Sequence, residues 1–301
     1  MEKQTIKSKH LKCGEKILNL SKPAIMGVLN ITPDSFSDGG QLYSQKKIDR
    51  DKVMHAVETM VNEGADIIDL GGESTRPGAA PVTAQQELDR VIPLLELLSK
   101  RFDAFFSVDT STAEVMLEAH SAGAHLVNDV RALRRAGALD AAVEIGLPVC
   151  LMHMQNEPGS MQDNPQYRDV VSEVINFLNK RKQHCMAAGI AEHQILLDPG
   201  FGFGKTLEHN LALFAGLPEL AKQKQPIVVG VSRKSMIGQL INTKVNDRLI
   251  GSVTMAVLAA QKIYGANGTA ILRVHDVKET VQAIQIWQAT NNDKVLITNE
   301  S

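Results

Sequence analysis

The chain has 301 residues, of which 44% are hydrophobic and 22% are charged, and its formal net charge at pH 7 is −2. This composition is that of an ordinary globular protein, and the length fits either one large domain or two average ones. The small net charge excludes the global basic field that recruits nucleic acid or an anionic membrane. Any attraction for an anionic substrate must therefore be local.

The cysteines and the N-terminal segment bear on the compartment. Cys13, Cys150 and Cys185 are far apart and show neither a C-x-x-C motif nor a metal-binding spacing, which indicates reduced thiols. The first seven residues contain no apolar segment of the kind found in a signal peptide, and no run approaches ~18 apolar residues. We therefore expect a soluble, cytoplasmic protein.

From Pro23 onward, short apolar runs alternate with longer segments of helical period, whereas residues 1–22 predict a small N-terminal hairpin. The runs of strand length are 23–29, 65–70, 104–108, 124–127, 147–152, 195–197, 226–231 and 269–274. The helical segments are 48–61, 83–100, 112–122, 139–145, 169–188, 211–220, 247–264 and 277–290. This order predicts an α/β fold, namely a single (β/α)8 TIM barrel over residues 23–290, followed by a flexible tail at 291–301.

Polar side chains at the ends of the predicted strands distinguish the barrel from its main alternative, a doubly wound open sheet. They are Asn30, Glu73, Asp109, Asn128, His153, Asp198, Arg233, Arg273 and His275. Barrel enzymes build their active sites at the C-terminal ends of the strands. A single such residue is explained equally well as the cap of a turn, but the whole set predicts one converging site.

Long motifs in this order resemble those of the dihydropteroate synthase family. Residues 26–40 (MGVLNITPDSFSDGG) resemble its first signature, and residues 69–78 (DLGGESTRPG) resemble its second. Further matches are 107–110 (SVDT), 127–130 (VNDV), 197–205 (LDPGFGFGK), 232–235 (SRKS) and 273–276 (RVHD). The resemblance covers about residues 23–280. It implies that a pterin carrying a CH2-diphosphate condenses with 4-aminobenzoate to give dihydropteroate and diphosphate.

The resemblance implies a pterin site on several strands. A pterin presents a flat, guanidine-like edge of N–H donors, for which Asp109, Asn128 and Asp198 supply carboxylate and amide partners. Lys234 is expected to reach the same ring. Two further candidates are Met152, as a soft wall or as plain core, and Phe203, as an aromatic contact on the glycine-rich loop. That loop does not match a P-loop, because Pro199 occupies the position of the required first glycine.

The diphosphate is expected at a cationic pair. Arg273 and His275 are two residues apart, so on a strand their side chains point the same way. A surface salt bridge is the alternative explanation. The resemblance implies Asn30 as the protein ligand of Mg2+, which takes few protein ligands besides water and substrate phosphates. Thr75 is expected to complete this end of the site.

The aminobenzoate is expected at the start of a helix. Ser235 lies there, where free N–H groups favour a carboxylate, and Phe36, Arg76 and Pro77 would close over the ring. The resemblance also implies a homodimer. The last two predicted helices carry apolar residues that fit either an interface or ordinary barrel packing: Val253, Val257, Leu258, Ile284 and Trp287.

The reaction that these residues suggest is a dissociative displacement, in which the leaving diphosphate is stabilised by Mg2+, Arg273 and His275. No residue stands out as a general base. Alternatives from other classes are a pterin-binding methyl-transfer module, a Schiff-base aldolase with Lys234 as the nucleophile, and a non-catalytic binding protein. A methyl-transfer module would have no use for a diphosphate site. An aldolase would place its lysine inside a strand, whereas Lys234 lies in a segment that resembles a loop.

Overall fold

Eight parallel strands hydrogen-bond in chain order and close into a barrel in the computed structural model, which describes residues 9–32, 43–44, 47–74, 81–156 and 159–291. The strands are β1 (Ala24–Asn30), β2 (Ile67–Gly71), β3 (Phe105–Asp109), β4 (Leu126–Asp129), β5 (Val149–Met152), β6 (Ile195–Asp198), β7 (Ile227–Val229) and β8 (Ala270–Val274). The last strand pairs with the first, with Leu272 opposite Ile25. The closure confirms the predicted (β/α)8 barrel and rules out the open sheet.

The strands are nearly continuous apolar runs because both of their faces are covered. In β2, for example, every residue is buried. Ile68 and Leu70 pack against the outer helices, whereas Ile67 belongs to a separate cluster inside the barrel. Side chains alternate along a strand. Asp69 therefore lies on the inner side with Ile67, one layer nearer the C-terminal end.

Helices surround the barrel. They are α1 (Arg50–Asn62), α2 (Ala84–Arg101), α3 (Ala113–Ser121), α4 (Ala138–Ile145), α5 (Val170–Ala187), α6 (Leu207–Ala215), α7 (Leu217–Ala221), α8 (Ser235–Ile241), α9 (Leu249–Gly265) and α10 (Val277–Asn291). The capping box predicted for α2 is present, because the Thr83 hydroxyl accepts from the Gln86 amide and the Gln86 side chain accepts from the Thr83 amide. Most predicted helices are confirmed to within a few residues.

One predicted helix, 211–220, is wrong in its extent. The structure has two helices there, beginning at the cap Thr206 and separated by Gly216. Pro218 explains the break, because proline has no N–H to donate and fits the first turn of a new helix better than the interior of an old one. Likewise, Asp247 lies in a short 3-10 turn, and the long helix begins at Leu249.

The predicted N-terminal hairpin is confirmed. Its strands, His10–Cys13 and Lys16–Asn19, pair antiparallel across the turn at Gly14. Leu11 and Leu18 are almost fully buried and pack with residues of the barrel interior, including Met26 and Leu196. The hairpin therefore fills the N-terminal end of the barrel, opposite the ends that carry the polar side chains. Within the described ranges, none of the helices has the length and apolar character needed to cross a membrane.

Candidate active site

The register of the barrel strands brings predicted site residues into one row at the C-terminal end. Asn30 pairs with Gly71, Gly71 with Asp109, and Asp109 with Asn128. A methyl group placed on Gly71 would lie 3.7 Å from the Asn30 Oδ1 atom and 3.8 Å from Asp109 Oδ2. Side chains from β1 and β3 therefore converge over Gly71, which leaves space between them.

The centre of this row is a charged cluster built around a residue that the sequence analysis did not assign. Asp69, which is fully buried, accepts a hydrogen bond from Arg273 Nε at 2.7 Å and another from Asn128 Nδ2 at 3.1 Å through the same oxygen, Oδ2. The Arg273 guanidinium also donates to Asp109 Oδ2 at 2.9 Å. Asp69 therefore orients Arg273 and Asn128, and Arg273 in turn connects this pair of contacts to Asp109.

A signal for Asp69 was present in the sequence. It stands inside the apolar run formed by Ile67, Ile68 and Leu70, where a carboxylate is expected to be buried. A buried carboxylate requires partners that are themselves charged or hydrogen-bonding. The partners of Asp69, however, come from strands that are far away in sequence. The apolar run therefore predicts that Asp69 has partners, but it does not identify them.

Burial sets the protonation behaviour of the site. It raises the pKa of Asp109 to about 8, against the opposing effect of Arg273, and it also raises the pKa of Asp198, against Lys234. Burial lowers the pKa of Lys234 to about 8, although the Asp198 carboxylate opposes this. For Arg273 the burial effect is outweighed by Asp69 and Asp109, which raise its pKa. The site thus contains groups that exchange protons near neutral pH and one permanent cation.

The glycine-rich loop after β6 forms a second side of the site. Asp198 Oδ1 accepts from the Gly200 amide at 2.7 Å. The Lys234 ammonium donates to the Phe201 carbonyl and lies 4.7 Å from the centre of the Phe203 ring. Asp198, Lys234 and Phe203, all predicted to contact a pterin, are therefore neighbours in the structure.

Met152 lies beside this loop. It is buried in a small apolar cluster with Val130, Met154 and Met161, against which Phe203 packs. Its position on β5 is opposite Asp198 on β6. The structure thus places Met152 and Phe203 in one apolar wall next to the carboxylate.

The residues predicted for the diphosphate end are only partly together. Arg273 points between Asp69 and Asp109, and the His275 ring lies with Nδ1 at 3.1 Å from the Ser232 hydroxyl. Thr75 lies outside the described residues. Among the residues that the structure describes, there is no group of three or more His, Cys, Asp or Glu side chains that would hold a metal alone. A single amide oxygen from Asn30 still fits Mg2+, which takes its other ligands from water and phosphates.

Of the residues predicted for 4-aminobenzoate, only Ser235 is described, since Phe36, Arg76 and Pro77 fall outside the described ranges. Ser235 is the exposed first residue of α8. It lines a cavity of about 350 Å³ together with Lys205 and Gln239. The cavity lies beside the glycine-rich loop, so the predicted amine site adjoins the predicted pterin site.

Three strand-end residues have partners outside this cluster, which limits the prediction of one converging site. Glu73 is held by Arg131 through two parallel hydrogen bonds of 3.1 Å each. Arg233 pairs with Asp276 at 3.1 Å and 2.5 Å. His153 lies 3.0 Å from the Lys205 amine. These side chains join neighbouring loops, which positions the loops that carry the site.

Comparisons with known proteins agree with this geometry. Residues 26–275 match the family of pterin binding enzymes. The chain is 53% identical to the dihydropteroate synthase of Escherichia coli (strain K12) over 277 residues, which are 92% of this chain and 95% of the relative.

Solved structures give the same result. A Yersinia pestis dihydropteroate synthase in a sulfonamide drug complex is 52% identical, with a TM-score of 0.88 over 93% of this chain and 98% of that one. A Xanthomonas albilineans dihydropteroate synthase with 4-aminobenzoic acid is 45% identical, with a TM-score of 0.86 over 95% of this chain and 99% of that one. On this evidence, the chain belongs to the dihydropteroate synthase family of pterin-binding enzymes.

Proposed function

We infer that the protein is a transferase with dihydropteroate synthase activity in folate biosynthesis. It condenses 6-hydroxymethyl-7,8-dihydropterin diphosphate with 4-aminobenzoate and releases 7,8-dihydropteroate and diphosphate. The observation that carries this inference is the hydrogen-bonded cluster of Asp69, Asp109, Asn128 and Arg273 at the C-terminal end of the barrel, beside Asp198 and Lys234. Aligned donors and acceptors of this kind recognise a flat heterocycle with several N–H groups.

We propose that the pterin ring lies between the strand-end cluster and the glycine-rich loop. The carboxylates of Asp109 and Asp198 would accept hydrogen bonds from its N–H groups, and the Asn128 amide would complete the contacts to the same edge. Lys234 supports the opposite edge, because its ammonium is already directed at the loop that carries Phe203. Met152 and Phe203 supply the apolar surface on which the ring rests.

For the leaving group, we propose Asn30, Thr75, Arg273 and His275, with Mg2+ bound through Asn30. When bound, Mg2+ supplies a positive charge that stabilises the phosphate oxygens. Arg273 and His275 lie at the C-terminal end of β8, next to β1, which carries Asn30. This adjacency of β8 and β1 supports a shared anion site.

The proposed reaction is a dissociative displacement. The bond between the pterin CH2 and the diphosphate oxygen breaks, its electron pair leaves with the diphosphate, and Arg273 and His275 stabilise that charge. The aminobenzoate nitrogen then forms the new bond to the CH2 carbon and loses a proton to solvent. Alignment of the two reactants contributes about 7–11 kcal/mol in favourable intramolecular systems. Ser235, with Phe36, Arg76 and Pro77, is proposed to align the amine.

A homodimer in the cytoplasm is also part of the proposal. Ile250 on α9 is 79% exposed and Ile286 on α10 is 67% exposed, and Leu258 on α9 is also exposed. These apolar side chains lie outside the packing of the barrel, and the proposal assigns them to an interface between copies of the chain. Ile284, by contrast, is buried and belongs to the packing of the barrel. All three cysteines are free and buried, which fits a reducing compartment.

The test is diphosphate release from the pterin substrate, measured with and without 4-aminobenzoate and Mg2+. Release together with dihydropteroate formation is expected for the wild-type protein. Lys234→Ala and Asp198→Ala are expected to abolish both. Pterin binding without turnover would instead favour a methyl-transfer or binding module and would overturn the inference.

A further inference from the structure

The glycine-rich loop after β6 is held by side chains rather than by neighbouring strands. Each carbonyl from residue 200 to residue 204 accepts a hydrogen bond from a side chain. The donors are Lys205 for Gly200 and Phe203, Lys234 for Phe201, Gln162 for Gly202 and Tyr167 for Gly204. Lys205 supplies two of these bonds, at 2.8 Å and 2.9 Å.

The Lys205 amine is buried and, within the described ranges, its partners are not carboxylates. Its side chain belongs to a residue that is only 4% exposed, and no acidic group of the described residues forms an ion pair with it. Besides the two carbonyls, its Nζ atom contacts His153 Nδ1 at 3.0 Å. Burying a charge without a partner of opposite charge is unfavourable. We therefore expect this lysine to be buried because its hydrogen bonds have a role in the loop.

The contacts of Lys205 are satisfied in either protonation state. Burial, together with the nearby charge of Lys234, lowers the pKa of Lys205 to about 7, while Asp198 opposes the shift. Burial, followed by the charge of Lys205, lowers the pKa of His153 to about 2, so its ring is neutral. A charged Lys205 donates three hydrogen bonds, and a neutral one donates two and accepts from the imidazole N–H. The carbonyls of Gly200 and Phe203 keep their donor in both cases.

The loop that Lys205 holds carries contacts of the pterin site on its other side. Its Gly200 amide donates to Asp198, and its Phe203 ring faces the Lys234 ammonium. The loop also lies close against the segment after β5, since a methyl group on Gly200 would come within 1.9 Å of the His153 carbonyl oxygen. A shift of either carbonyl would therefore move Asp198, Phe203 and Lys234 relative to one another.

We propose that Lys205 is a positioning residue of the pterin site, which fixes the glycine-rich loop through the carbonyls of Gly200 and Phe203. It does not touch the substrate in this role. The proposal rests on the proposed function for the identity of the ligand. Loss of the Lys205 amine is expected to displace the loop and thereby weaken pterin binding.

The test compares Lys205→Met with Lys182→Met, because Lys182 is also a buried lysine but lies on α5. Its amine donates to Gln225 and pairs with Glu192, away from the site. Calorimetric titration with 6-hydroxymethyl-7,8-dihydropterin diphosphate is expected to show binding weakened on the order of tenfold to a hundredfold in Lys205→Met. Lys182→Met is expected to bind as the wild type does.

Two results would overturn the proposal: wild-type pterin affinity in Lys205→Met, or equal losses in both variants. Lys205→Gln is the second variant, since its shorter side chain keeps two N–H donors, and a pterin loss between those of the wild type and Lys205→Met is expected. Amide hydrogen exchange of residues 199–204, measured without any ligand, is expected to be faster in both Lys205 variants and unchanged in Lys182→Met. Unchanged exchange in the Lys205 variants would contradict the role of Lys205. Because this measurement needs no ligand, it tests the role of Lys205 even if the wild-type protein binds no pterin and the proposed function is wrong.

Discussion

Asp69 on β2 and Arg273 on β8 form an ion pair of 2.7 Å at the centre of the site, although 204 residues separate them in the sequence. The pair crosses the barrel mouth over β1. It also fixes Asn128, which donates to the same carboxylate oxygen. One buried acidic side chain therefore organises both the amide and the cation of the site.

Asp69→Asn is expected to reduce kcat/KM for the pterin substrate on the order of a hundredfold, because Arg273 and Asn128 lose the anion that orients them. Removing one partner of a buried pair also costs about 3–5 kcal/mol of stability. Steady-state kinetics and chemical unfolding measure the two effects. The control is Asp66→Asn at the opposite end of the same segment, where the side chain accepts from the Ile25 amide and an asparagine still can. Equal kinetic losses in both variants would contradict the assignment.

Pterin binding is expected to release a proton at pH 7. Free Asp109 has a pKa of about 8 and is largely protonated there, whereas the N–H donors of a bound pterin favour its ionised form. The pKa of Asp109 therefore falls on binding, and the proton is lost at any pH between the two values. Above pH 8 the free carboxylate is already ionised and the release disappears.

Calorimetric titrations at pH 7 in buffers of different ionisation enthalpy measure this proton. Lys234, with a pKa of about 8, is already mostly charged at pH 7 and takes up little in return. Asp109→Asn should abolish most of the buffer dependence. A binding enthalpy that is the same in all buffers for the wild-type protein would show that Asp109 is ionised before the pterin arrives.

Gly200→Ala is expected to impair pterin binding and to destabilise the fold. Gly200 has a φ of +68°, and an added methyl group would lie 1.9 Å from the His153 carbonyl oxygen. Strain of this kind costs roughly 1–3 kcal/mol. Gly265→Ala is the control, since no atom lies within 4 Å of the added methyl group at the end of α9. Thermal unfolding should show a lower Tm for the first variant and an equal or higher one for the second.

The hairpin is expected to stabilise the barrel without affecting catalysis. Leu18 is 3% exposed and packs into the barrel end, whereas its neighbour Ile17 is 64% exposed. Leu18→Ala should therefore cost about 2–5 kcal/mol in the free energy of unfolding. Ile17→Ala should change it by no more than about 0.5 kcal/mol. Urea unfolding measures both free energies. A change in kcat for folded Leu18→Ala would contradict the expectation that the hairpin has no effect on catalysis.

The barrel and half of its site follow from local patterns in the sequence. Strand-length apolar runs and the polar residues that end them predict the fold, and also the neighbourhood of Asp109, Asn128 and Asp198, because parallel strand ends meet at one edge. The positions of Phe36, Arg76 and Pro77 are not described, so their predicted contact with 4-aminobenzoate stays a prediction.

Local sequence patterns do not predict which residues of different strands form pairs at the site. Asp69 is hidden inside an apolar run, and its partner Arg273 is set by the closure of β8 onto β1. Lys205 ends a motif whose glycines suggest close approach of the backbone, yet its own role depends on which carbonyls the folded loop directs at it. Such pairings depend on how the strands and loops are arranged in the folded protein, and not on the spacing of residues in the sequence.

The hairpin covers the N-terminal end of the barrel. Within the described residues, Leu11 and Leu18 fill that end, so the strand-end carboxylates are approached from the C-terminal side. Of the groups assigned to the pterin, Asn128, Asp198 and Met152 are buried near the strand ends, whereas Ser235 stands exposed at the rim. With the proposed assignments, the pterin would lie deeper in the barrel than 4-aminobenzoate, and both would enter from the C-terminal side.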